Sequence, residues 1–310
     1  MAEESFPNLT GVFSVVPTPF DAEGNVDLPS LRRVVDLYIG AGVDGLTALG
    51  VTSEAASLDD RERALILGTV LSHAAGRVPV VAGTMADGLQ VCIERSRAAI
   101  AAGAAAVMVS PPRLAKPNME AVIAHYRALG EEVGAEIVVQ DYPPVSGFTM
   151  EASLLVRIAS EVPLARTIKL EDPPTPLKVA RILALSAGAP LRILGGLGGV
   201  FLLEELVAGA AGTMTGFAYP EMLVSIVSEF RAGRAAHAAD LFYRYVPLMR
   251  FEFQEGIGIA IRKEVLRRRG ALANAGVRAP GAPLDGGTQS ALESILTWMK
   301  ERQGAEWISV

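Results

Sequence analysis

Eight short, apolar, β-rich runs recur through the first 233 residues, most of them followed by a longer segment with helical spacing. Few architectures accommodate that rhythm. The runs fall at 12–16, 45–49, 78–83, 106–109, 137–141, 165–170, 191–195 and 212–216. Segments such as 31–39, 61–75 and 120–129 carry apolar residues at i, i+3 and i+4, the mark of a helix with one buried face. The strand runs are nearly continuous in apolar residues, which predicts parallel strands covered on both faces. Ser57 ahead of Asp59 and Asp60, and Asn118 ahead of Glu120, mark helix starts; Gly40, Gly76, Gly103 and Gly130 are expected helix stops. Units averaging about 28 residues match a (β/α)8 TIM barrel. The competing architecture is a doubly wound open sheet.

Beyond residue 233 the pattern is purely helical, at 235–253, 257–269 and 288–300, with a Gly-, Ala- and Pro-rich loop at 270–287. The expectation is one structural unit: a barrel over 1–233, and C-terminal helices over 234–310 packed on its wall or on a neighbouring subunit. Half of the residues are hydrophobic, enough for a sizeable core. Lys and Arg number 28 against 34 Asp and Glu, giving a net charge of −6 and no basic run to follow a nucleic acid. No stretch reaches the roughly 18 apolar residues of a membrane span. The opening MAEESFPNLTG lacks the layout of a signal peptide, so the cytoplasm is the expected address. One cysteine, Cys92, excludes an internal disulfide framework, and its helical, apolar setting predicts a buried thiol. His73, His125 and His237 lie in helices without metal-ligand spacing, so neither a metal site nor catalytic work is expected of them. Arg267-Arg268-Arg269 reads as a solvated helix end.

In a barrel of this kind chemistry collects at the C-terminal ends of the strands. Those ends carry Thr18, Gly50–Glu54, Ser110–Arg113, Gln140–Pro144, Lys169–Glu171, Gly195–Gly199 and Thr213–Gly216. Lys169 is the anomaly. Alternation sends Ile168 and Leu170 to the helix layer and Lys169 into the barrel. An ammonium there is costly unless paired or neutralised, and a neutral amine is the nucleophile that makes an imine with a ketone. The plainer alternative is a strand-end lysine paired with Glu171 or another carboxylate. Gly50–Glu54 offers free N–H groups and the hydroxyls of Thr52 and Ser53 at the head of a helix, a setting for a carboxylate; an ordinary capped turn is the competing reading. The glycines at 195–199 lack GxGxxG spacing, so a phosphate site and a close-packed loop both remain open there.

Together these strand ends resemble the dihydrodipicolinate synthase/N-acetylneuraminate lyase superfamily of class I aldolases and dehydratases, over nearly the whole chain. Gly11–Phe20 resembles the family's opening strand, Gly50–Glu54 its Gly-Thr-Thr-Gly-Glu carboxylate loop, and Ile168-Lys169 its Schiff-base strand. Gly209–Gly212 resembles the turn into strand eight, and Gly256–Arg269 the family's C-terminal helix. The departures matter more. Gln140-Asp141-Tyr142-Pro143 stands in place of a Tyr-Asn-x-Pro motif, and glutamine cannot relay a proton as a phenol does. Arg113 occupies the position of a second relay tyrosine that faces a neighbouring subunit, and Val145 replaces a substrate-binding arginine. Val51 and Ser53 alter the carboxylate loop while Thr52 and Glu54 persist.

Gln-Asp-x-Pro with Lys-x-Glu resembles L-2-keto-3-deoxyarabonate dehydratases and their relatives. The resemblance implies a Schiff-base lyase for a short 2-oxo acid, favouring dehydration of a 2-keto-3-deoxy sugar acid. Lys169 would be the nucleophile, Gln140 an orienting group and Glu171 an acid or base. Thr52, Ser53, Val51, Gly196, Tyr142 and Arg113 would contact substrate. No metal or cofactor is implied, since the imine is itself the electron sink, and a homodimer or homotetramer is expected. A pyruvate-dependent aldolase using Tyr142 or a water, and a non-catalytic 2-oxo acid binding protein, are the alternatives.

Overall fold

The computed structural model describes residues 7–303. Residues 1–6, which open the acidic N-terminal stretch, and residues 304–310 lie outside the described part. Eight parallel strands close into a barrel in sequence order, β1 pairing with both β2 and β8. They are β1 (Gly11–Val15), β2 (Gly45–Ala48), β3 (Val80–Gly83), β4 (Ala106–Val109), β5 (Glu136–Asp141), β6 (Thr167–Leu170), β7 (Arg192–Gly195) and β8 (Gly212–Thr215). The barrel wall carries α1 (Leu28–Gly40), α2 (Asp60–Ala74), α3 (Leu89–Ala101), α4 (Met119–Val133) and the short α5 (Pro143–Ser146). Next come α6 (Ala152–Glu161), α7 (Thr175–Leu185), α8 (Leu202–Val207) and α9 (Pro220–Arg231). The chain then adds α10 (Ala235–Glu252), α11 (Gly258–Arg268) and α12 (Gly286–Gln303). No described helix is long and apolar enough to cross a membrane.

Alternation along each strand builds two cores. Side chains such as Val12, Leu46, Val107 and Ile168 pack outward under the helices. Phe13, Val81, Met108, Val138 and Met214 fill the barrel itself. A Cβ on Gly45 would fall inside the Phe13 ring, so only glycine lets that ring cross the lumen. The lumen floor is closed by Leu9 and by a polar knot in which Thr167 and Arg192 both donate to Glu136.

Asp59, rather than Ser57, caps α2: its Oδ1 accepts from Glu62 N at 2.8 Å, and Glu62 reciprocates at 3.1 Å. Asn118 caps α4 as expected, accepting from Ala121 N at 2.9 Å. α1 ends at Gly40 as expected, but one expected stop is not a stop: Gly130 lies within α4, where it makes room for Val162, and α4 ends at Gly134, with φ 63°. The arginine triplet is not a solvated end either. Arg269 stacks over Tyr219 at 4.5 Å and donates to Glu221 at 2.7 Å, while Arg268 bridges Glu264 and Glu293. These contacts clamp α11 onto α9 and α12.

Candidate active site

Gln140 and Lys169 are direct partners in the β5–β6 register, so both side chains project from neighbouring strand ends into the barrel mouth. Lys169 is 4% exposed and Gln140 3%. Regular β6 pairing stops at Leu170, yet Glu171 N still donates to Asp141 O at 2.9 Å, carrying the ladder one residue further. Glu171 therefore shares the face of Lys169. Its Oε2 lies 3.0 Å from Lys169 Nζ and accepts from Gln140 Nε2 at 2.7 Å. Ser110 Oγ, at the end of β4, donates to Gln140 Oε1 at 3.0 Å, which orients the amide with its NH2 toward Glu171. One carboxylate oxygen thus receives both the amine and the amide.

Gly196 follows β7 and lies against Glu171: a Cβ there would overlap the glutamate side chain. Its contribution is space for the carboxylate. Lys178 Nζ, on α7, bridges Asp141 at 2.6 Å and Asp172 at 2.7 Å, pinning the residue after Glu171 to the end of β5. Burial pushes the Asp141 carboxyl up to about 6 against the pull of that lysine.

The turn after β2 is a 3₁₀ turn, Val51–Ser53, followed by Glu54 in the left-handed region at φ 58°. Here the two hydroxyls part company. Ser53 Oγ donates to Val16 O at 2.5 Å and accepts from Gly50 N at 3.1 Å, so it staples the turn to the end of β1 and is not free to hold a substrate. Thr52 Oγ1 is buried with no hydrogen-bond partner among the described residues. The N–H groups of Val51 and Thr52 precede the first bond of the turn, from Ser53 N to Gly50 O, and have no acceptor within it. Glu54 does not enter the mouth; it pairs with the fully buried Lys263 of α11 and accepts from Arg278 N at 2.8 Å.

Two cavities flank Val51. One, of about 360 Å³, runs past Gln140, Met108, Arg63 and Arg113. Arg113 is exposed, and its Nε donates to Val145 O at 2.6 Å. The other, of about 290 Å³, is lined by Thr52, Tyr142, Phe253 and Arg262. Burial, with Glu171 and Glu255 nearby, raises the Tyr142 phenol above its ordinary range. Sequence reasoning missed the anchors Ser110 and Lys178. Ser110 stood at a strand end, where its position was a signal; Lys178 gave none, since its partners are set by the fold.

Fold and mouth together define a (β/α)8 barrel with a buried lysine–glutamine–glutamate constellation at its C-terminal end. The chain belongs to the dihydrodipicolinate synthetase family, whose model matches residues 8–299. It is 35% identical over 95% of its length to the L-2-keto-3-deoxyarabonate dehydratase of Azospirillum brasilense, covering 96% of that protein. It is 31% identical to the 4-hydroxy-tetrahydrodipicolinate synthase of Methanothrix thermoacetophila, covering 95% of this chain and 98% of that one. Among solved structures it resembles a prophage protein of the same family from E. coli K12, determined in complex with pyruvate. That match has a TM-score of 0.89 at 26% identity and covers 95% of this chain and 99% of the other. The family and its dehydratase and synthase relatives support a lyase.

Proposed function

We propose that the protein dehydrates a 2-keto-3-deoxy sugar acid bound as an imine on Lys169. The observation that carries this reading is the shared oxygen of Glu171, held at once by Lys169 and by Gln140. Glu171 is within reach to take the ammonium proton, which frees the amine to attack the 2-oxo carbon. The carboxylate of the substrate has the free Thr52 hydroxyl and the Val51 and Thr52 N–H groups to meet it. Glu171 returns the ammonium proton as the 2-oxo oxygen leaves as water and the imine forms. The restored carboxylate then takes a C3 proton to give an enamine, and delivers it to the C4 hydroxyl, which departs as a second water. Hydrolysis of the imine consumes one water and frees Lys169. Gln140 cannot remove a proton from the C4 hydroxyl, the step that C3–C4 cleavage requires. Tyr142 is a poor substitute, since its raised phenol stays protonated. The dehydratase named among the relatives supports the same choice.

Product analysis tests the reading. From a 2-keto-3-deoxy pentonate the expected product is 2-oxoglutarate semialdehyde, the substrate less one water, with little pyruvate. Faster release of pyruvate than of semialdehyde from every sugar acid tried would replace dehydration by aldol cleavage.

A further inference from the structure

Glu205, on α8, is completely shielded from solvent, and among the described residues no cation pairs with it. Its Oε1 accepts from Thr175 Oγ1 at 2.6 Å, while its Oε2 has no hydrogen-bond partner among those residues. Its position is telling. A Cβ on Gly195 would overlap the Glu205 carboxyl, and a Cβ on Gly196 would overlap Glu171. Two carboxyl groups therefore stand against two successive glycines, Glu171 in the mouth and Glu205 behind it. Thr175 begins α7 four residues after Glu171 and is itself buried, so the Glu205–Thr175 bond tethers the far end of the Glu171–Thr175 segment. Lys178 pins its near end.

A buried carboxylate without a counter-ion is expensive, and the cheaper state is the neutral acid. The charged groups acting on Glu205 are Glu171 at the end of β6 and Glu204 on its own helix, both negative; β7 contributes only Gly195 beside it. Burial first, then these charges, lift its carboxyl to about 7, with the Thr175 bond pulling the other way. We propose that Glu205 is a positioning residue whose protonated carboxyl anchors the Glu171 segment and keeps a second negative charge from behind the Lys169–Glu171 pair. When Glu205 gives its proton to solvent, the added charge favours the ammonium form of Lys169 and repels the Glu171 carboxylate. Imine formation then slows. The inference rests on the Schiff-base reading above.

The test is the rate of pyruvate capture on Lys169 in cyanoborohydride, read by peptide mass from pH 6 to 9, for wild type, Glu205→Gln and Thr175→Val. Circular dichroism monitors the fold. Glutamine keeps the shape but cannot ionise, so the ratio of Glu205→Gln to wild-type rate should rise at least about threefold between pH 6 and 8.5. Thr175→Val removes the bond that favours ionisation, so the wild-type fall should move to higher pH. A purely structural role would lower capture equally at every pH. A flat ratio, or no upward movement in Thr175→Val, overturns the proposal while leaving the imine intact. No adduct on wild-type Lys169 overturns both readings.

Discussion

Replacing Lys169 by alanine removes the amine that borohydride would fix to a 2-oxo acid. Both the trapped adduct and turnover should vanish, whereas Glu171→Gln should cut turnover by about 10²–10⁴ yet still yield an adduct, because it takes away a proton carrier and not the nucleophile. Peptide mass and steady-state rates separate the two outcomes, and an adduct on Lys178 instead would displace Lys169 from its role. At this scale the sequence was informative about side chains that alternation points inward. It placed Lys169 in the lumen and raised both possibilities for Glu171, acid–base group or ion-pair partner; the 3.0 Å contact makes it a partner in the resting protein. It could not rank the hydroxyls of Thr52 and Ser53. Which of them is spent depends on Val16 O, contributed by backbone 37 residues earlier.

Helices and strands were readable for different reasons. Buried parallel strands leave unbroken apolar runs, and all eight fall within two residues of their expected starts and ends. Helix ends were harder, because a glycine is compatible with a stop without requiring one: Gly130 sits inside α4 to admit Val162. The arginine triplet misled for a similar reason, its partners lying on α9 and α12. Within α4, His125 packs edge-on to Tyr126 at 5.5 Å, and its Nε2 has no partner among the described residues. Burial lowers its imidazole to about 4. The unfolded chain takes up that proton near pH 6.5 and the folded chain only near 4, so stability is full above 6.5 and falls as the pH drops through that window. The loss amounts to roughly 3 kcal/mol at most. Urea midpoints of His125→Phe should lose this part of the acid slope; an unchanged slope would place the acid sensitivity elsewhere.

At the scale of the molecule, the closed barrel and its C-terminal helices are tied together through Glu54, Lys263 and Arg278 as well as through α9 and α11. Arg113 is exposed at the mouth, and we propose that the chain forms a homodimer or a tetramer of dimers with this residue near the seam. Sedimentation velocity at micromolar concentration should show no dominant monomer. A single monomeric boundary would leave Arg113 to the cavity beside Gln140 alone.

The sealed floor of the lumen has a kinetic consequence. With Leu9 and the Glu136–Thr167–Arg192 knot filling the opposite end, the reaction chamber is a blind alley: whatever enters by the strand ends must leave the same way. Under the dehydration proposed above, departing product and arriving substrate contend for one doorway and for the same amine. Semialdehyde added at the start of an assay should then raise the apparent KM and leave the limiting rate unchanged, the pattern of strict competition.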